Sequence, residues 1–333
     1  METNKIFENI ADNLNLGTVT APVQRVSGGY MHKMYRLETS RGKFAVKLLN
    51  PVIMTRPDVF ENYAAAESLE KKLQGNGIPV VPALSFGGKK MQRVNNQYYY
   101  VFEWVNAKAL SSEEITREHC GIMGAVLARI HKIEQKNEDY NGDEININWD
   151  TYIKSAESEC PKIVDILKAN RDILYKSQTQ GNAALKNIPK LAVISNGDMD
   201  CKNVLWIDRK PLIIDLECLN YGNPYMELFD LALCWSGYEH CKLDYKLLSS
   251  FVQSYIKAYG PFEINWDDLY YANFGRLAWL EYNIKRALMI ECENEEEKQL
   301  GIGQVFETME HVIYYDSLKA ELPGRLNEIA QRV

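Results

Sequence analysis

Residues 191–217 read LAVISNGDMDCKNVLWIDRKPLIIDLE, two short apolar strands joined by a turn, each delivering a carboxylate where it ends. Asp198 and Asn203 are five residues apart, and Asp215 follows twelve residues later, at the end of the apolar run LII. Phosphoryl transfer needs one carboxylate to orient an attacking hydroxyl and accept its proton. It also needs an amide and a second carboxylate to hold magnesium against the phosphates. Asp198, Asn203 and Asp215 supply those three parts in that order. Alone, Gly197-Asp198-Met199-Asp200 reads as an ordinary turn, because Asp and Gly dominate turns for local hydrogen-bonding reasons. The register of Asn203, Asp215 and, further on, Asp230 makes it a candidate catalytic loop.

Outward from this loop the chain divides by pattern. Residues 23–49, VQRVSGGYMHKMYRLETSRGKFAVKLL, alternate apolar and polar around a glycine pair and predict two or three antiparallel strands with a tight turn at Arg41-Gly42. A helical stretch at 60–77 runs into the proline-punctuated IPVVPALSFG, and QYYYVFEW at 97–104 predicts a buried strand. The polar VNAKALSSEE that follows is expected to be a hinge, which sets a lobe boundary between Trp104 and Val105. Beyond it the chain is helical, at GIMGAVLARIH (121–131), at PKIVDILKANRDILYK (161–176) and from Asp267 to Ile290. The acidic ECENEEEK reads as a solvated helix face or loop. The expected fold is therefore α+β and two-lobed, with a β-rich N-lobe (1–104) and a mainly helical C-lobe (105–333).

Composition narrows the partners. The chain has 333 residues, 46% of them apolar and 25% charged, as in an average globular protein of two lobes. No run of about 18 apolar residues occurs, and METNKIFENI is too polar for a secretory signal, so no membrane partner and a cytoplasmic location are expected. Seven cysteines without a C-x-x-C pair argue against a disulfide framework and a zinc site, and read as reduced, mostly buried thiols. Residues 1–105 hold 13 Lys and Arg against 9 Asp and Glu, whereas 106–333 hold 25 against 36. A basic first part suits polyphosphate. An acidic second part suits a cationic partner and disfavours nucleic acid.

The pattern D-x-x-x-x-N followed by a strand ending in Asp is that of kinases. NGDMDCKN, IIDLE and the later ELFDLA together resemble the aminoglycoside phosphotransferase and choline kinase-like family, whose loop commonly reads H-G-D-x-x-x-x-N followed by I-I-D-W-E or I-D-F-E. The likeness runs from about residue 23 to 235 and implies a protein-kinase-like fold. It makes Asp198 the catalytic base, Asn203 and Asp215 the magnesium ligands, and Asp230 a buried buttress of the loop. Asn196 stands where the family usually has histidine, a scaffold residue, and puts loop geometry in question more than chemistry. Ser27-Gly28-Gly29 resembles the family's phosphate loop, in which glycine lets backbone N–H groups approach phosphates. Lys47 of FAVKLL stands at the distance expected for a lysine on the α- and β-phosphates. Such an ammonium needs an acidic partner from the next helix, Glu67 by the family pattern or else Glu61. Backbone groups of Glu103 and Val105 are expected to face the purine, without telling ATP from GTP.

For the acceptor, Asp200, Glu217, Glu227, Trp235, Tyr238 and Glu239, with Trp279, Glu281 and Tyr282, are the acidic and aromatic residues that could hold a cation. Residue by residue an amphipathic-helix reading is the simpler one, except for Glu217, two residues after Asp215. His131 reads as a packing residue. The expected protein is a kinase, monomeric or weakly dimeric, using Mg2+ and ATP or GTP to phosphorylate a hydroxyl of a cationic small molecule such as an aminoglycoside or amino alcohol. A protein kinase is disfavoured, because LECLNYGNPYMELF between Asp215 and Asp230 is too short to cradle a peptide. The alternative is a catalytically weak or dead nucleotide-binding module with a regulatory or assembly role, which Asn196 favours and joint retention of Lys47, Asp198, Asn203 and Asp215 opposes.

Overall fold

A computed structural model describes residues 2–26, 32–138, 142, 144–292 and 294–333, so the Ser27-Gly28-Gly29 loop lies outside the described residues. The chain packs as two units, 1–114 with 196–220, and 115–195 with 221–333.

The first unit opens on a helix for which the alternation at 23–49 gave no sign, α1 (Glu2–Asn13). Its Phe7, Ile10 and Ala11 recur at helical spacing, are buried, and pack on Leu37, Val46, Tyr99 and Val101 of the sheet behind. Strands β1 (Gln24–Val26), β2 (Lys33–Thr39) and β3 (Gly42–Leu48) are followed by helix α2 (Val59–Gly75), β4 (Gln92–Val94) and β5 (Gln97–Glu103). Among the described residues the five strands form an antiparallel sheet in the order β1-β2-β3-β5-β4. The β2–β3 hairpin closes at Thr39↔Gly42, as the Arg41-Gly42 signal predicts. Side chains alternate faces along a strand. Val46 accordingly lies in the α1 core, whereas Lys47 shares the other face with its cross-strand neighbour Tyr100, over Tyr63 and Val59 of α2. A two-residue strand β6 (Lys108–Ala109) ends the first pass.

In the second unit come α3 (Arg117–His131), β7 (Gln135–Lys136), α4 (Trp149–Glu159), α5 (Val164–Ala169), α6 (Arg171–Leu185) and β8 (Ala192–Ser195). The chain then re-enters the first unit as β9 (Val204–Ile207) and β10 (Lys210–Ile213), an antiparallel pair whose turn uses Asp208 at φ 53°. Strand β9 also pairs with β6, and β10 is pinned by Val81 N–H to Ile213 C=O (2.8 Å) and Ile213 N–H to Pro79 C=O (2.8 Å). The proline-punctuated stretch thus holds the strand that leads, two residues past its end, to Asp215.

After β11 (Asn220–Gly222) the second unit is completed by α7 (Pro224–Cys234), α8 (Tyr245–Tyr259), α9 (Trp266–Ala272), α10 (Gly275–Ala287), α11 (Glu295–Ser317) and α12 (Leu322–Ala330). Helices α3 and α8 meet at Gly124, where a Cβ would collide with the Phe251 carbonyl. The helical run expected from Asp267 to Ile290 is broken at Asn273-Phe274, where the Phe274 ring lies against α6 at Gly181. The acidic run becomes the first turn of α11, capped by Asn294, where Glu295, Glu296 and Glu297 favour the positive end of the helix. All seven cysteines are free thiols, two of them fully buried and one, Cys218, exposed, fewer buried than expected. Among the described residues no helix is long and apolar enough to cross a membrane.

Candidate active site

The loop is built by local hydrogen bonding. Buried Met199 anchors it, and Asp200 caps the short 3-10 turn 201–203 by accepting from Lys202 N–H (3.1 Å) and Asn203 N–H (3.2 Å). The Asn203 side chain is buried and donates Nδ2 to the Asp198 carbonyl at 2.8 Å, which leaves its Oδ1 as the acceptor for a ligand. Ile214 N–H bonds the Asn203 carbonyl at 2.9 Å, so the turn and the residue before Asp215 are one piece. Asp215 itself has φ 62° and ψ 59°, a left-handed conformation that costs a non-glycine residue about 1 kcal/mol or more and is common at active sites.

Lys47 is 5% exposed and donates Nζ to Asp215 Oδ1 at 2.6 Å and to Glu217 Oε1. Burial acts to lower its pKa, but the two carboxylates outweigh it and hold the ammonium above its ordinary value. Burial acts to raise Asp215, and Lys47 overrides it, keeping that carboxyl below the usual range. For Glu217 burial prevails, with the Asp215 charge adding to it, and its pKa rises to about 7. Asp198 is pushed up to about 6 by burial, Lys202 opposing and the charges of Asp200 and Asp215 reinforcing the rise. Lys202 Nζ lies 2.7 Å from Asp200 Oδ2 and 3.7 Å from Asp198 Oδ1.

His32 completes the group. It accepts Asn50 N–H at Nδ1 (3.0 Å), which puts the proton of the neutral ring on Nε2, 3.3 Å from Tyr63 Oη and 3.9 Å from Glu217 Oε1. Burial, then Lys47, depresses its pKa to about 4. His32, Tyr63 and Lys202 were not singled out from sequence. Of the three only Lys202 carries a signal there, four residues after Asp198.

The expected glutamate partner of Lys47 is not in place. Glu67 accepts from Tyr100 Oη at 2.9 Å, Glu61 is exposed in the first turn of α2, and Glu217 with Asp215 takes the ammonium instead. Glu103 ends β5, where Trp104 N–H makes a further bond to Lys43 C=O (3.0 Å), and Val105 follows as the chain leaves the sheet. Asn196 is buried.

Of the acidic and aromatic acceptor candidates, those in the second unit are mostly engaged by other groups of the protein. Glu227 is buried and takes His131 Nε2 at 2.9 Å, while His131 Nδ1 meets Tyr255 Oη at 2.8 Å, so that trio is a packing network. Trp235 is wholly buried, Glu239 pairs with Arg276, and Glu281 accepts from Tyr152 Oη at 2.7 Å. Trp279 is partly exposed and donates to Gln304 Oε1 at 3.2 Å. Asp230, expected to be buried, is exposed on α7, where its charge acts on Tyr238 and Arg276.

Two oxygen donors from Asn203 and Asp215 fit magnesium, a hard cation that takes few protein ligands and keeps positions for water and phosphate. Among the described residues no cluster of three His, Cys, Asp or Glu could hold a metal by itself.

No functionally curated protein shows significant sequence similarity to the chain. Solved structures do resemble it in fold. A spectinomycin phosphotransferase in complex with ADP and spectinomycin is 14% identical with TM-score 0.68, over 94% of this chain and 98% of that one. A choline/ethanolamine kinase family protein from Mesorhizobium loti is 15% identical with TM-score 0.56, over 95% and 100%. An amicoumacin kinase bound to AMP-PNP and Ca2+ is 11% identical with TM-score 0.59, over 93% and 94%. The fold is that of protein-kinase-like phosphotransferases, with an antiparallel-sheet unit and a mainly helical one. The model of the phosphotransferase enzyme family matches residues 22–270, three quarters of the sequence, and the chain belongs to that family.

Proposed function

We propose that the chain is a small-molecule kinase that uses Mg2+ and ATP or GTP to phosphorylate a hydroxyl of a cationic acceptor. The observation that carries this reading is the convergence of Lys47, Asp215 and Glu217, with Asn203 and Asp198 tied to the same piece of backbone. In this reading residues 1–104 form the nucleotide-binding lobe, with Ser27, Gly28 and Gly29 on the phosphates and the backbone of Glu103 and Val105 on the purine. Residues 105–333 form the catalytic and acceptor-binding lobe.

Asn203 Oδ1 and the Asp215 carboxylate hold the magnesium, whose chemistry is to neutralise phosphate charge. Lys47 exchanges its carboxylate contacts for the α- and β-phosphates, and Glu217, with a pKa of about 7, absorbs the change by taking up a proton. Asp198 accepts the acceptor's hydroxyl proton as its oxygen bonds the γ-phosphorus and the β–γ bridging P–O bond breaks, releasing the nucleoside diphosphate. A cationic acceptor follows from the excess of acid over base in 106–333, which raises local cation concentration through its long-range field. The candidate carboxylates Glu227, Glu239 and Glu281 already have protein partners, so that attraction is a steering effect more than a set of fixed contacts. The enzyme is read as cytoplasmic, monomeric or weakly dimeric, with neither nucleic acid nor membrane as partner.

The test is acceptor-dependent nucleotide consumption with magnesium over aminoglycosides, spectinomycin, choline-like amines, sugars and nucleosides. A regulatory module would bind nucleotide and transfer nothing to any of them.

A further inference from the structure

Two nitrogen donors of the first unit converge on one carboxylate oxygen. Lys47 Nζ donates to Glu217 Oε1, and His32 Nε2 lies 3.9 Å from the same atom. Strand register brings the two side chains together. Lys47 pairs across the sheet with Met34, and residues two apart along a strand point to one face, so His32, at the head of β2, stands beside Lys47. The His32 and Glu217 side chains are 10% and 13% exposed, which makes this a desolvated corner where a hydrogen bond to a charged oxygen counts for more than it does in water.

The imidazole is prepared as a donor. Asn50 N–H is donated to its Nδ1 at 3.0 Å, which leaves the ring proton on Nε2. Burial first, and then the charge of Lys47, holds the pKa of the ring at about 4 against the opposing pull of Asp215, so at neutral pH it donates from the neutral form. That proton is poorly served by the partners at hand. Tyr63 Oη, at 3.3 Å, is past the usual N–H···O range of about 2.7–3.2 Å, and Glu217 Oε1 is out of hydrogen-bond reach. A closing movement of about 1 Å would bring an oxygen held against Lys47 into bonding distance of the imidazole. When Lys47 turns from Glu217 to the nucleotide, the oxygen it holds belongs to a phosphate.

We propose that His32 is a further phosphate-binding residue of the nucleotide site, donating Nε2–H to a non-bridging oxygen of the polyphosphate that Lys47 holds. The inference rests on the kinase reading and adds to the lysine a neutral donor that follows the Ser27-Gly28-Gly29 segment in the chain. Titration calorimetry with Mg2+ tests it, using ADP, GDP and the corresponding nucleosides on wild type, His32→Ala and His32→Gln. Urea unfolding of each variant reads any loss of fold separately. His32→Ala should weaken the diphosphates ~10-fold or more and leave nucleoside affinity unchanged, because the lost bond is made to a charged oxygen and not to the base or ribose. His32→Gln, whose amide N–H can stand in for Nε2–H, should recover most of the affinity. Diphosphate binding indifferent to His32→Ala, an equal loss for diphosphate and nucleoside, or a glutamine variant as weak as the alanine one overturns the proposal and leaves the kinase reading intact. Wild type that binds neither ADP nor GDP overturns the kinase reading and this assignment with it.

Discussion

Replacing Lys47 by methionine removes the ammonium between Asp215 and Glu217 while keeping most of the side-chain volume. Breaking a buried ion pair from one side typically costs ~3–5 kcal/mol. The Asp215 side chain is 31% exposed and Glu217 can take a proton, so the lower end, about 3 kcal/mol at pH 7, is expected. The loss depends on pH. In wild type Glu217 titrates at about 7 in the folded chain against 4.5 unfolded, so its favourable contribution is complete below the unfolded value and is lost as pH rises through 7. Without Lys47 nothing cationic opposes the effect of burial, and the folded pKa of Glu217 climbs further. Above pH 7 the folded variant then holds a proton that wild type is releasing, and the stability gap widens by ~1 kcal/mol between pH 7 and pH 8. Urea unfolding at pH 6, 7 and 8, with chelator present, measures it. A gap that is constant over that range, or a variant as stable as wild type, refutes the ion-pair arrangement.

Asp198→Asn is expected to lower kcat by ~100-fold or more with nucleotide affinity little changed, read by steady-state kinetics and calorimetry. Because that base titrates at about 6, wild-type kcat should fall as pH drops through 6 and level off above it, a limb absent from the residual activity of the variant. Asp215→Asn should abolish the part of nucleotide binding that chelator removes from wild type, as titration calorimetry with and without magnesium would show. Raising the salt concentration should raise the KM of a cationic acceptor, since screening shortens the field of the acidic region, whereas a salt-independent KM would contradict steering. Gly124→Ala should cost ~1–3 kcal/mol by forcing α3 from α8, seen as a lowered midpoint in urea.

Periodicity made the sheet legible. Alternation over 23–49 placed Lys47 on a strand, the apolar and aromatic run at 97–104 supplied a buried one, and the Asp198-to-Asp215 spacing located the loop. Spacing fixes which residues lie on one stretch of chain, and Asn203 bound to the Asp198 carbonyl is local in that sense. It does not fix which of several acids reaches a lysine 168 residues away. That outcome depends on where α2 places Glu67, and Tyr100, opposite Lys47 in the sheet, takes that carboxylate first. His32 was invisible for the same reason, being brought in by a backbone bond to Asn50 on the neighbouring loop. The bend at Asn273-Phe274 escaped notice because the apolar periodicity over 267–290 fits one unbroken helix, whereas the seat of the Phe274 ring at Gly181 comes from a helix far away in sequence.

The central claim, phosphoryl transfer from this loop, is tested most directly by incubating the enzyme with ATP, Mg2+ and the acceptor panel, following both nucleoside diphosphate release and the acceptor's gain of one phosphoryl group by mass. The account predicts that wild type couples the two one-to-one with at least one hydroxyl acceptor, that chelator stops both, and that Asp198→Asn slows both by ~100-fold or more. Nucleotide binding without transfer to any acceptor, or an Asp198→Asn enzyme that turns over at the wild-type rate, would contradict it.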